Sequence, residues 1–118
     1  MDEEFVRDLF ASEGPVQLRR LFGGKGIYLD GLIVAVMFGD QLLLKGDDQT
    51  GPLFEAAGSR RWTYQRPGKA SVTMPYYDLP SEAYDDPDAM AVWARRAWEA
   101  AMRAAQAKSG KRRPKPPR

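Results

Sequence analysis

Tight turns set the first limit on this fold. The apolar runs "IYL", "LIVAVMF" and "QLLLK" are separated only by Asp30-Gly31 and Gly39-Asp40. Parallel strands need a crossover of a dozen or more residues, so runs joined this closely must pair antiparallel. Asp-Gly is among the strongest hairpin signals, since a tight turn asks both residues for positive φ. "VQLRRLF" reads as a further extended run ahead of them. Pro67-Gly68-Lys69 marks another hairpin, between "RWTYQR" and "ASVTMPYY". Pro75 has no N–H for a ladder, which puts the end of that strand at a sheet edge or a bulge.

Helices bracket these strands. Asp2 caps a first helix, with Glu3 and Glu4 beside its N-terminal dipole and Phe5, Val6, Leu9 and Phe10 on one face. "TGPLFEAAGS" predicts a short helix starting near Asp48 or Thr50, turning Leu53, Phe54 and Ala57 to the sheet and stopping at Gly58. In "DDPDAMAVWARRAWEAAMRAAQ", Asp86 is a cap, Pro87 takes the first helical position and Asp88 lies in the first turn. Met90, Trp93, Ala94, Ala97, Trp98 and Ala101 form its apolar stripe, opposite Arg95, Glu99 and Arg103. The order is helix, a meander of three or four strands, helix, hairpin, helix: an α+β domain. Leu32 to Phe38 does not alternate, which fits a strand covered on both faces or one paired with a second copy in a homodimer.

"RRLFGGKGIYLDG" (residues 19–31) raises the question of a phosphate cradle. A P-loop, G-x-x-x-x-G-K-[ST], fails because Arg19 stands where its first glycine belongs and Gly26 follows Lys25. G-x-G-x-x-G starts at Gly24 and Gly26 but meets Leu29 at its third glycine, and a strand rather than a helix follows. The glycines therefore read as a tight connection.

Composition narrows the chemistry. A chain of 118 residues, 43% hydrophobic, is large enough for one core and too small for two. It contains no cysteine and no histidine, which removes disulfides, thiolate sites and every nucleophile that relies on an imidazole base. Asp85, Asp86 and Asp88 lack the glycine and distant glutamate of a calcium loop, so a capped helix explains them. Asp47 and Asp78 remain open as a carboxylate pair from separate strands. No catalytic residue, metal site or cofactor is expected. No leader-like segment or membrane-length apolar run is present, so a cytoplasmic protein is expected.

The charge is uneven. Residues 1–107 carry 12 basic and 16 acidic residues, whereas "KSGKRRPKPPR" (108–118) carries six basic and no acidic ones. Residues 1–107 are expected to form the folded domain and 108–118 a disordered tail. Lys108, Lys111, Arg112, Arg113, Lys115 and Arg118 in that tail are candidates for weak DNA or RNA contact through charge, and a solubilising role fits equally.

The ordered set "RRLFGGKGIYLDG", "LLLKGDD", "FEAAGSRRWTY", "MPYYDLP" and "WARRAWEAA" resembles the TfoX N-terminal domain (TfoX/Sxy) family over nearly the whole chain to about residue 105. Leu21 replaces the methionine usual in that family, and the basic tail stands where longer members carry a second, helical domain. The resemblance implies a two-layer, secretion-chaperone-like fold with an antiparallel sheet of about five strands. It also implies a non-enzymatic role in bacterial competence or transcription regulation, exerted through a protein partner such as a transcription regulator. The family motif maps onto Arg20, Phe22, Gly23, Gly24, Gly26, Tyr28, Lys45, Gly58, Tyr64, Tyr77, Pro80 and Trp93, read mostly as architecture. Arg20 and Lys45, bordered by Tyr64, Tyr76 and Tyr77, form a candidate anion or partner surface, with solvated charges and half-buried tyrosines as the alternative.

Overall fold

The computed structural model describes residues 1–21, 23–65 and 67–112, with backbone alone for Tyr64 and 109–112. Phe22, Arg113, Lys115 and Arg118 therefore lie outside the described residues, as do the side chains of Tyr64, Lys111 and Arg112.

Helix α1 (Glu3–Leu9) leads into strands β1 (Gln17–Leu21), β2 (Gly24–Leu29), β3 (Leu32–Phe38) and β4 (Gln41–Lys45). Helix α2 (Gly51–Ala56), strands β5 (Arg61–Tyr64) and β6 (Val72–Asp78), a 3-10 turn (Ser81–Tyr84) and helix α3 (Pro87–Arg112) follow. The strands form one antiparallel sheet of six, ordered β1-β2-β3-β4-β6-β5. That exceeds the expected five or so, because β1 pairs along its whole length with β2 and β5 adds an outer strand beyond β6. The helix and strand order read from the sequence is the one observed.

Local signals explain most boundaries. The Asp2 carboxylate accepts from the Glu4 N–H at 3.1 Å, and that of Asp86 from the N–H groups of Asp88 and Ala89 at 3.0 and 3.3 Å. Asp30 and Gly31 have φ of 48° and 81°, the left-handed pair that a two-residue hairpin needs. The glycine-rich stretch divides. Gly23 turns the chain, but Gly24 and Gly26 are already strand. A Cβ on Gly24 would stand 2.2 Å from the Met37 carbonyl oxygen, so close packing keeps that position bare.

All three helices lie on one face of the sheet, where Val6, Phe10, Ile27, Val34, Ala35, Met37, Leu42, Leu44, Phe54, Trp93 and Ala97 share the main core. The apolar stripe of α3 is buried as expected, from Met90 through Ala101, with Trp98 half-buried. On the opposite face a smaller cluster gathers around Val36, Leu43 and Tyr76. Strand β3 is thus apolar on both sides. It also breaks alternation at a bulge, since Tyr28 pairs with Ile33 and Ile27 with Ala35, leaving Val34 as the extra residue. Val34 and Ala35 consequently both belong to the helix-side core.

Some expectations need correction. In α2 Phe54 is the one buried side chain beyond the initial Gly51; Leu53 and Ala57 are exposed, because a helix this short offers the sheet a stripe one side chain wide. Phe5 is likewise 39% exposed while Val6, Leu9 and Phe10 are buried. Pro75 lies on an interior strand, so the bulge is the alternative that holds. Two β5 residues, Arg61 and Thr63, span Tyr77 to Thr73 on β6. The Pro75 carbonyl still accepts from the Gly46 N–H at 2.9 Å. Helix α3 itself is assigned to Arg112, with "AAQAK" rich in helix formers ahead of Ser109 and Gly110.

Candidate binding surfaces

The structure does not bring Arg20 and Lys45 together. Directly paired residues share a face, and Arg20 pairs with Lys25, which in turn pairs with Met37 of the helix-side core. Lys45 pairs with Tyr76 on the other face, and β1 and β4 are three places apart in strand order. At about 4.8 Å per strand this separates them by at least about 14 Å, with the sheet between. Tyr76 and Tyr77 separate for the same reason. Tyr77 stacks on Phe54 in the helix-side core, with ring centroids 4.8 Å apart, while Tyr76 faces the opposite side.

Arg20 instead lines a cleft of about 710 Å³ at the glycine-rich end, with Met1, Gly23, Gly24, Lys25, Met37 and Gly39. Its cations are largely occupied from within. Lys25 forms an ion pair with Glu3, and the Met1 ammonium bonds Asp40 at 2.8 Å and the Gly39 carbonyl at 3.1 Å. A strand, not a helix N-terminus, stands behind the glycines. The geometry of a phosphate cradle is missing.

The face of the sheet turned away from the helices has different chemistry. Leu21, Tyr28, Ile33, Phe38, Trp62 and Met74 are half-buried there around Val36, Leu43 and Tyr76. The sheet curls around this face. The rings of Phe38 and Trp62 are 5.0 Å apart although their strands are three places apart, about 14 Å in a flat sheet. Trp62 also meets Tyr76 edge-on at 6.4 Å.

Cations edge this trough. The Arg19 guanidinium lies 5.1 Å from the Tyr28 ring centroid, and the Lys45 ammonium 5.1 Å from that of Tyr76. Neither is in an ion pair among the described residues. Burial holds the Lys45 ammonium below the ordinary lysine range, with the Asp47 carboxylate pulling the other way. Burial, with a smaller push from the Tyr28 phenol, raises Tyr76 to about 12. Asp78 is the one carboxylate on any described strand, and it accepts from Gln41 at 2.9 Å. Arg19 and Trp62 were not singled out from the sequence. The register was the signal, since it puts Arg19, Gly26, Val36 and Leu43 in one row across the sheet.

Asp47 and Asp78 do not form a carboxylate pair. Asp78 pairs with Leu43, four residues before Asp47, about 13 Å along an extended chain. The Asp47 carboxylate is held by Arg103, at 2.6 Å from Nε and 3.1 Å from Nη2, and it accepts from the Gln49 and Thr50 N–H groups. These contacts, Arg103 foremost, hold its carboxyl below the usual range against the opposing effect of burial. It fastens the start of α2 to the far part of α3. No three carboxylates converge as a metal would require among the described residues.

Of the remaining motif residues, Trp93 packs on Phe54 with centroids 4.6 Å apart, and Pro80 is buried where the 3-10 turn begins. Gly58, with φ of 86°, closes α2. Lys108 is exposed on α3. No described helix is long and apolar enough to cross a membrane.

No curated protein matches the chain. A family model, the TfoX N-terminal domain, matches residues 8–101, from the end of α1 through most of α3. That match takes in the whole sheet, both of its faces and Asp47, and stops two residues short of Arg103. The chain belongs to the TfoX N-terminal domain family, a regulatory-type domain family and not a known enzyme family.

Proposed function

We propose that this protein is a non-enzymatic regulatory or adaptor domain of the bacterial cytoplasm, serving competence or transcription regulation through contact with a protein partner. The observation that carries this reading is the helix-free face, where half-buried apolar side chains lie beside cations that have no ion-pair partner among the described residues. Such a surface suits association better than turnover, which needs convergent acid, base or nucleophile groups. Family membership points the same way. Affinity capture with the tagged full chain, followed by mass spectrometry, is expected to return a transcription regulator. Return of no such regulator would count against the reading.

A second reading is nonspecific nucleic-acid binding, favoured by one observation. The six basic residues of 108–118 are unaccompanied by any acidic one, while residues 1–107 are net acidic. Binding of duplex DNA should then fall steeply with salt and disappear from a chain ending at Ala107. Affinity that survives truncation, or ignores salt, would sink this version.

A further inference from the structure

The charges of the sheet contrast with those of the domain around it. The strands carry Arg19, Arg20, Lys25, Lys45 and Arg61 against the single carboxylate of Asp78, although residues 1–107 hold 12 basic and 16 acidic residues. The acidic groups sit in helices and turns. Lys25 is neutralised by Glu3 on the helix side, whereas Arg19 and Lys45 face the trough without a carboxylate in salt-bridge contact among the described residues.

We propose that the helix-free face of the sheet binds an extended, acidic segment of a partner protein, with apolar side chains of that segment seated on Ile33, Phe38, Trp62 and Met74 and its carboxylates meeting Arg19 and Lys45. This deepens the adaptor reading and rests on it. Charge complementarity selects the occupant. Asp78, paired with Leu43, lies on this face as well, so a second copy of the chain would gather four cations against two carboxylates in one seam. The basic 108–118 segment would be repelled. Single-stranded nucleic acid would need open aromatic faces for its bases, yet Arg19 occupies a face of Tyr28, Lys45 one of Tyr76, and Phe38 and Trp62 pack on each other. The aliphatic lining of Leu21, Ile33, Val36 and Met74 accepts Leu or Phe side chains instead. A sheet of six strands is about 24 Å across, which an extended segment of about seven residues spans.

The test begins with selection of random peptides on the full chain, followed by fluorescence-anisotropy titration of a labelled winner. Enriched peptides should combine Asp or Glu with apolar residues. Arg19→Glu and Lys45→Glu should each weaken binding about tenfold or more while the melting transition stays cooperative. Lys45→Gln serves as the milder variant should Lys45→Glu unfold. A peptide with its acidic residues changed to Lys should prefer Lys45→Glu over the wild type. Enrichment without acidic residues, or binding indifferent to all three substitutions, overturns the proposal. Displacement of the peptide by oligothymidine that is itself weakened by the same substitutions also overturns it, in favour of nucleic acid. The two readings separate in the capture experiment. A regulator retained equally by Arg19→Glu and Lys45→Gln removes this surface and leaves the adaptor role. Failure of the wild-type chain to capture any regulator removes the adaptor role itself.

Discussion

Asp47 concentrates more interactions than any other carboxylate described here. Its oxygens accept from Arg103 and from the Gln49 and Thr50 N–H groups in the turn ahead of α2, so Asp47→Ala should cost about 1–2 kcal/mol in urea denaturation, the scale of lost hydrogen bonds to a charged group plus a partly exposed ion pair. Because its folded-state pKa is depressed, the stability it contributes is fully present above the ordinary carboxylate range and is lost as pH falls through the folded value. Unfolding free energy measured from pH 7 downward should therefore drop below about pH 4, and less so in Asp47→Asn. An unchanged slope in that variant would refute the assignment. Gly24 gives a second residue-scale prediction. Gly24→Ala places a methyl against the Met37 carbonyl and the Phe38 ring and should cost more than about 2 kcal/mol, whereas Gly68→Ala, with open space around it, should cost about 1. Equal effects in thermal melts would contradict the close approach. At this scale the caps Asp2 and Asp86 were legible, because each bonds backbone two or three residues away. The role of Asp47 was not, because its partner Arg103 lies 56 positions along the chain.

At the scale of elements, α3 supplies much of the core through one stripe. Trp93 is 4% exposed, packed on Phe54 and covered by the Arg96 guanidinium at 4.6 Å, so Trp93→Ala should cost about 3–5 kcal/mol. Val92, its neighbour on the same helix, is 49% exposed, and Val92→Lys should change stability by less than about 0.5 kcal/mol. Comparable losses for both would mean that the stripe is misplaced. The period of α3 was readable because a long helix repeats its signal over several turns. In α2 the same reasoning overreached, since a helix of six residues from Gly51 to Ala56 has too few turns for a stripe. The strand ending at Pro75 shows a third case. The missing N–H demanded an irregularity, and only the placement of β5 outside β6 decided between edge and bulge.

For the whole molecule, the two faces of the sheet divide the work of folding and association. The helix side holds the large core, and the opposite side holds the small cluster, the curl and the cations. A chain ending at Ala107 should retain its melting temperature within a few degrees in calorimetry, because Lys108, the first residue removed, is exposed, as are Gln106 and Ala107 at the new end. A large drop would assign the end of α3 a structural role.

The order of residues alone determined the hairpins, the caps, the antiparallel class and the buried stripe of α3, since each arises from contacts within a few positions or from a repeated period. The partners of charged side chains were decided by tertiary structure. Arg20 went to the helix side and Arg19 to the other because a strand alternates its faces, and the bulge at Val34 displaced the alternation beyond it. Lys45 met Tyr76, and Trp62 met Phe38, because β6 inserted beside β4 and the sheet curled. Strand order and curvature depend on how the entire core fills its volume, and no local pattern of residues encodes that sum.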